Sequence, residues 1–173
     1  MLTKAPIIAA TALVAFGSSN PGVTVLAKRA TNLLHARAAF RKAVLLEAEG
    51  TPANPRRAVK TGDRIVTWRF VFDNQQSHDK YKSVAVTARR GILGNPKGST
   101  FPFLEDQLIS PIPTMTLTRA VQLLDAAGYT SGFYAVTLRE PNYPGVHAPE
   151  YIFALVGGKT VAVDTQTGAV KKL

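Results

Sequence analysis

Two segments in the first half of the chain alternate apolar and polar side chains with the period of a β-strand. In residues 63–73 (DRIVTWRFVFD), the large side chains of Trp68, Phe70 and Phe72 fall on one face. Residues 81–90 (YKSVAVTARR) alternate in the same way, and the polar segment between the two runs suits a hairpin. The pattern predicts an antiparallel pair that turns an aromatic face toward a core.

Other segments repeat apolar residues at steps of three and four, which predicts amphipathic helices. These segments are residues 5–16, 24–48 and 115–128. In the longest one only Arg37 interrupts the apolar stripe, and its long stem can lie along apolar surface. Thr24 suits its N-cap and Gly50 its end, while Thr116 and Gly128 suit the start and end of the last helix.

The second half again shows a helix followed by strands. Three strands are predicted, over residues 132–140, 150–156 and 159–164, and the chain closes with a turn and the stub of a fourth. Gly157-Gly158 is a two-residue hairpin signal. Residues 51–62 and 91–114 are rich in proline or glycine and read as loops.

The order of these elements predicts an α+β protein. We expect a basic α-β-β unit over residues 1–97, with an additional N-terminal apolar helix, and an α-β-β-β unit over residues 98–173. Each unit would lay a helix across an antiparallel sheet, because both elements must bury an apolar face. The two units would pack edge to edge or face to face into one compact body.

Charge is distributed unevenly between these halves. Residues 1–97 contain 16 Lys and Arg against 5 Asp and Glu, whereas residues 98–173 contain 5 against 6. A basic half indicates a polyanionic partner, which could be nucleic acid, an acidic glycan or a lipid surface. A solvated face that aids solubility is the other interpretation.

Arginines cluster around the two strands of the basic half. Arg56, Arg57 and Lys60 lie in the loop before the first strand, Arg64 lies at the start of that strand, and Arg89 and Arg90 end the second. If the two strands form a hairpin, these side chains meet at one edge, where guanidinium groups could bind phosphates, sulfates or carboxylates. Charges placed at strand ends to keep a sheet soluble would give the same pattern.

The N-terminal twenty residues allow two interpretations. Lys4 followed by the apolar stretch 5–16 resembles a weak secretory signal, with one positive charge and an early Pro6. We favour instead a packed helix of the domain. The protein would be cytoplasmic if residues 1–17 are retained and secreted if they are cleaved. The stretch is too short for a transmembrane segment, and the sequence leaves the oligomeric state open.

Catalytic and cofactor motifs are not found in the sequence. It contains no cysteine, which excludes disulfides, thiolate metal sites and a Cys nucleophile. His35, His78 and His147 stand in no metal-ligand or triad spacing, and no G-x-S-x-G elbow or glycine-rich phosphate loop occurs. We therefore predict no enzyme activity, no cofactor and no metal.

The segments LTRAVQLLDAAGY and TVAVDTQTGAVKKL give residues 115–173 a family resemblance. This unit resembles the PepSY family, whose modules pair a helix with an antiparallel sheet, and it is similar to the wider cystatin-like topology. Ala169 departs from the pattern, since the family often has an acidic residue there. The resemblance implies an inhibitory or regulatory binding role and no catalysis.

A proline-rich segment, REPNYPGVHAPE (139–150), carries Tyr143 and His147 between two predicted strands. Prolines lower the entropy lost when a loop docks. Our leading hypothesis is a binding or inhibitory protein that uses this loop on a macromolecular partner, with peptidases as the first class to test. The alternatives are a polyanion binder and a small-ligand carrier with a cavity at Trp68, although that side chain is more typical of a core.

Overall fold

The computed structural model describes residues 21–77 and 79–173. It shows an α+β fold, as predicted, with two α-helices, two short 3₁₀ helices and ten strands in the described residues. The α-helices are α1 (Val23–His35) and α2 (Leu117–Ala126), and the 3₁₀ helices are Ala38–Phe40 and Gly62–Arg64. The strands are β1 (Val44–Pro52), β2 (Ile65–Asp73), β3 (Ser83–Arg89), β4 (Ile92–Leu93), β5 (Lys97–Ser99), β6 (Asp106–Gln107), β7 (Phe133–Pro141), β8 (Glu150–Leu155), β9 (Thr160–Asp164) and β10 (Val170–Lys172). The helix predicted over residues 5–16 lies outside the described residues.

All ten strands belong to one antiparallel sheet. Its main path runs β10-β9-β8-β7-β1-β2-β3-β4, with β5 beside β3 and β6 beside β7. β1 pairs with β2 on one side and with β7 on the other, so that Ala48 lies opposite both Phe70 and Leu138. The first and second halves of the chain therefore meet edge to edge at β1 and β7.

The prediction of a helix over residues 24–48 is correct for its first half and wrong for its second. α1 ends at His35, Arg37 has extended backbone angles, and residues 44–52 form the central strand. The N-cap is Gly22 and not Thr24, and Gly50 lies inside β1. Pairing on both sides outweighs the helix propensity of the Leu, Glu and Ala residues in this segment. Thr51 and Pro52, predicted as loop, also belong to β1.

Both helices pack on the same face of the sheet. α1 contributes Leu26, Ala30 and Leu34 to a continuous core, and α2 contributes Ala120 and Leu124. The sheet side of this core is aromatic, as the alternation in the sequence predicts. Its fully buried aromatic side chains are Phe70, Phe72, Phe133, Tyr151 and Phe153.

Most of the remaining sequence predictions for secondary structure are confirmed, but residues 91–114, predicted as loop, contain the short strands β4, β5 and β6, which pair with β3 and β7. β2, β3, β7, β8 and β9 form where alternation predicts strands, and β10 is the expected final stub. α2 starts at the expected cap, since the Thr116 side chain accepts a hydrogen bond from the Arg119 amide at 3.2 Å. Gly157 and Gly158 have φ of 85° and 73°, the left-handed angles of a tight hairpin turn.

Residues 100–114, which we call the strap, carry the chain from β5 to α2. The strap passes β1, where the Ile109 amide donates to the Leu45 carbonyl at 2.7 Å, and its short strand β6 pairs with the end of β7. These contacts hold the strap, which was predicted as a loop, against one end of the sheet. Neither α-helix of the described residues has the length and apolarity of a transmembrane span.

Candidate functional site

The antiparallel register gives the sheet two ends. At one end, which we call the loop end, β7 leads into β8 and the strap crosses; Arg139 pairs there with Glu150, and Glu150 with Asp164. At the other, which we call the basic end, Thr67 pairs with Arg89, and Phe133 with Leu155. The predicted site residues divide between these ends.

Tyr143 and His147 lie at the loop end, in the hairpin loop formed by residues 142–149. The Tyr143 amide donates to the Pro141 carbonyl at 2.9 Å, and the Val146 amide donates to the Tyr143 carbonyl at 3.2 Å. Val146 and Ala148 are buried, and the Thr165 hydroxyl donates to the Pro149 carbonyl at 2.6 Å. The Tyr143 residue itself is 57 % exposed. The loop therefore presents an exposed aromatic side chain on an anchored backbone.

A groove of about 620 Å³ runs beside this loop. His147 and Glu140 line it on the loop side, Leu108, Pro111 and Pro113 line it from the strap, and Gln166 lines it from the β9–β10 turn. The strap residues were not among the site residues predicted from the sequence. Pro111 and Pro113 were the available signal, but which loop would lie beside them depends on the strand order.

The β9–β10 turn is held by Asp164, whose carboxylate accepts from the amides of Gln166 at 2.8 Å and Thr167 at 2.7 Å. Partial burial would raise the pKa of Asp164, but these hydrogen bonds outweigh it and hold that pKa below its usual value. Gly168 completes the turn with a φ of 74°. The segment that resembles the PepSY pattern is thus a rigid turn that forms one wall of the groove.

Buried charges lie where the strap meets the sheet. The Asp106 side chain is fully buried, with a carboxylate oxygen 3.3 Å from Nε of Arg139. Burial raises the pKa of Asp106 to about 6, although the charge of Arg139 acts to lower it. Burial also raises the pKa of Glu47, and the nearby Asp106 adds to that shift; Arg69 Nη1 lies 3.5 Å from the Glu47 carboxylate. The Asp106–Arg139 pair therefore links the strap to β7, and the Glu47–Arg69 pair links β1 to β2.

The histidine and acidic side chains of the described chain are dispersed. Within residues 21–77 and 79–173, no three His, Asp or Glu side chains group closely enough to hold a metal ion. His78 lies outside the described residues. His35 is used structurally, since its Nε2 lies 2.9 Å from the Ala43 carbonyl oxygen.

The predicted arginines lie at the basic end. Arg89 and Arg90 line a cavity of about 400 Å³ together with Ala53, at the start of the loop that carries Arg56 and Arg57. The predicted hairpin of β2 and β3 is therefore present and brings both segments to the same end. Among the described residues, Arg56, Arg57 and Arg64 lie outside the lining of that cavity.

Trp68 is a core residue with 3 % of its surface exposed, and its ring stacks near Phe70 at a centroid distance of 6.4 Å. It also lines a cavity of about 320 Å³ near the first residues of α1 and α2. Gly62, Asp63 and Thr116 border this cavity. Trp68 is thus a core residue whose ring also borders this cavity.

Comparison with protein-family models, curated proteins and solved structures finds no match to this chain.

Proposed function

We propose that the protein acts by binding and not by catalysis, and that it docks on a partner protein through the hairpin loop 142–149. The main observation behind this proposal is that the loop combines an exposed aromatic side chain with a buried anchor. Its tip exposes Tyr143, while Val146 and Ala148 anchor the backbone in the protein. An aromatic side chain with a polar tip, presented on a fixed backbone, is typical of residues that dominate protein interfaces.

The anchoring reduces the entropy that binding would cost. Docking a flexible loop requires its backbone and side chains to become ordered, and that cost is subtracted from the affinity. Here three hydrogen bonds, from Tyr143, Val146 and Thr165, already fix the turn and its second flank. The adjoining groove offers a recess in which a segment of the partner can lie.

We further infer that the sheet consists of two comparable units, α1 with β1–β4 and α2 with β7–β10. Each has a helix followed by a run of neighbouring antiparallel strands, and the two runs extend in opposite directions from the β1–β7 pair. This arrangement supports a PepSY-like or cystatin-like second unit, and with it an inhibitory or regulatory role. Steric occlusion of a partner's cleft by the loop is the mechanism we propose.

Peptidases are the first partners to test, with one representative each of the serine, cysteine, aspartic and metallopeptidase classes. We expect the protein to inhibit at least one, and Tyr143→Ala to weaken that inhibition at least tenfold. Tyr134→Ala is the matched control, because Tyr134 is also a surface tyrosine but lies on β7 near the basic end.

If Tyr143→Ala inhibits the peptidase as strongly as the native chain does, the loop does not take part in inhibition. If no class is inhibited by the folded protein, peptidase inhibition is wrong.

A further inference from the structure

The basic end of the sheet concentrates cationic side chains from both halves of the chain. The loops and strand termini that form it are residues 53–64, 89–92, 127–134, 156–159 and 172–173. Their cationic residues are Arg56, Arg57, Lys60, Arg64, Arg89, Arg90, Lys159 and Lys172. Against these, the same segments contain one carboxylate side chain, that of Asp63, which lies 3.8 Å from Nε of Arg64.

Strand pairing places these segments in a row. Pro52 pairs with Ile65 and Thr67 with Arg89, which joins the loop after β1 to the β3–β4 turn. A bridge between Val59 and Phe133 brings the same loop to the start of β7. Beyond it, Ala154 pairs with Thr160 and Val161 with Lys172. Since neighbouring strands lie about 4.8 Å apart, a row across eight strands extends on the order of 30 Å.

The eight cations of this row are all exposed to solvent. Apart from the distant contact of Arg64, no ion pair joins them to a carboxylate within residues 21–77 and 79–173. Three cations of the described chain outside the row, Arg69, Arg139 and Lys171, lie within 4 Å of a carboxylate. The row therefore keeps its positive charge available for an external anion.

An exposed aromatic side chain lies within this row. Tyr134 is near the start of β7, at an irregularity in the β7–β8 pairing between Phe133 and Ala135, and is 36 % exposed. It separates the cations of the loop after β1 from Lys159 and Lys172. Aromatic side chains in a positively charged track are typical of surfaces that bind single-stranded nucleic acid, because bases stack on them.

We propose that the basic end binds single-stranded nucleic acid, with Arg and Lys side chains contacting the phosphates and Tyr134 stacking on a base. This site lies at the end of the sheet opposite the docking loop and does not depend on the function proposed above. A narrow row of cations matches a linear polyanion, whereas a lipid surface would require a broader basic plane. The exposed Tyr134 ring favours nucleic acid over a sulfated glycan, because a glycan has no aromatic bases that could stack on it.

Fluorescence anisotropy with a fluorescein-labelled 20-nucleotide oligo(dT) tests the proposal. We expect binding at low salt, with log Kobs falling against log[salt] at a slope of about −0.7 for each phosphate contacted. A variant with Arg56, Arg57, Arg89 and Arg90 all changed to Gln should flatten that slope and weaken binding at least tenfold. The control variant changes Arg37, Arg41, Lys42 and Lys80 to Gln, which removes the same charge away from the row.

Equal losses in the two fourfold variants would show that only net charge matters and would overturn the site. Failure of the native chain to bind the oligonucleotide at low salt would overturn it as well. Thermal unfolding of both variants shows whether a loss reflects misfolding.

Substitution of Tyr134 separates nucleic acid from other polyanions. We expect Tyr134→Ala to weaken oligo(dT) binding about tenfold and Tyr134→Phe to restore it, because stacking needs only the ring. Neither change should alter binding of heparin or of vesicles containing phosphatidylglycerol. Unchanged oligo(dT) binding by Tyr134→Ala, or tighter binding of heparin or vesicles than of oligo(dT), would contradict a nucleic-acid site.

Discussion

Gly50 shows how one small residue lets the central strand pack against the core. A Cβ atom at this position would lie 2.6 Å from Cη2 of Trp68 and 2.8 Å from Cγ2 of Ile65. Both neighbours are buried, with 3 % and 2 % of their surfaces exposed, and neither can move away freely. The absence of a side chain at Gly50 is therefore a packing requirement of β1.

We predict that Gly50→Ala lowers the free energy of unfolding by about 1–3 kcal/mol, the usual cost of overpacking a core. Chemical denaturation followed by Trp68 fluorescence measures it, since Trp68 is the sole tryptophan. Gly22→Ser is the matched control, because no atom of residues 21–77 and 79–173 lies within 4 Å of a Cβ there and serine is a good N-cap. A Gly50→Ala protein as stable as the control would show that this packing is wrong.

Asp106 gives the fold a pH dependence of known sign. Its folded-state pKa of about 6 lies above the ordinary value of 3.8, so the folded chain holds the proton more tightly than the unfolded chain. The resulting stabilisation is complete below about pH 4 and is lost as the pH rises through 6. The nearby Glu47, whose pKa is also raised, acts in the same direction.

We predict that Asp106→Asn reduces the loss of stability between pH 4 and pH 7, because the variant has no carboxyl at this position to ionise. Urea unfolding at several pH values measures the difference between the two proteins. Asp79→Asn serves as a control on an acidic residue outside the strap. Parallel stability profiles for the native chain and Asp106→Asn would contradict the assignment.

At the scale of elements, the start of α2 depends on one side chain. The Thr116 hydroxyl oxygen accepts from the Arg119 amide and satisfies a group that the helix itself leaves without a partner. We predict that Thr116→Ala costs about 1 kcal/mol of stability. Thr118→Ala, an exposed change within the first turn, should cost less. Equal losses, measured by thermal unfolding, would argue against the cap.

The elements differ in how far the sequence determines them. Period-two alternation identified β2 and β3 because their aromatic and aliphatic residues face one core. β1 was missed because the helical stripe of apolar residues continues through Phe40 and Ala43 to Val44, although Glu47-Ala48-Glu49-Gly50 alternates with the period of a strand. Pairing with β2 and β7 decides its conformation, and local propensity cannot reveal such long-range pairing.

In the candidate site, too, features within one segment could be predicted from the sequence, whereas contacts between distant segments could not. Tyr143 and His147 were predictable because prolines and a glycine mark their loop within a short segment. The groove beside them was not, since Leu108 and Gln166 come from distant segments that only the strand order brings together. At the basic end, the sequence indicated the arginines but not the addition of Lys159, Lys172 and Tyr134.

At the scale of the whole molecule, β1 joins the two halves and so positions both surfaces. Its pairing with β7 places the loop and the strap at one end of the sheet and the row of cations at the other. The core is continuous across this junction, since side chains of both α1 and α2 belong to it. A partner protein and a nucleic acid could therefore occupy the molecule without competing for the same surface.

Residues 44–52 form a strand paired on both sides, and NMR of the isotope-labelled protein can detect both pairings. We predict cross-strand nuclear Overhauser effects from Glu47–Gly50 to both Trp68–Val71 and Val136–Arg139, following the antiparallel register. Continuous helical amide–amide effects through residues 36–48, or contacts from β1 to only one of the two neighbouring strands, would contradict the account.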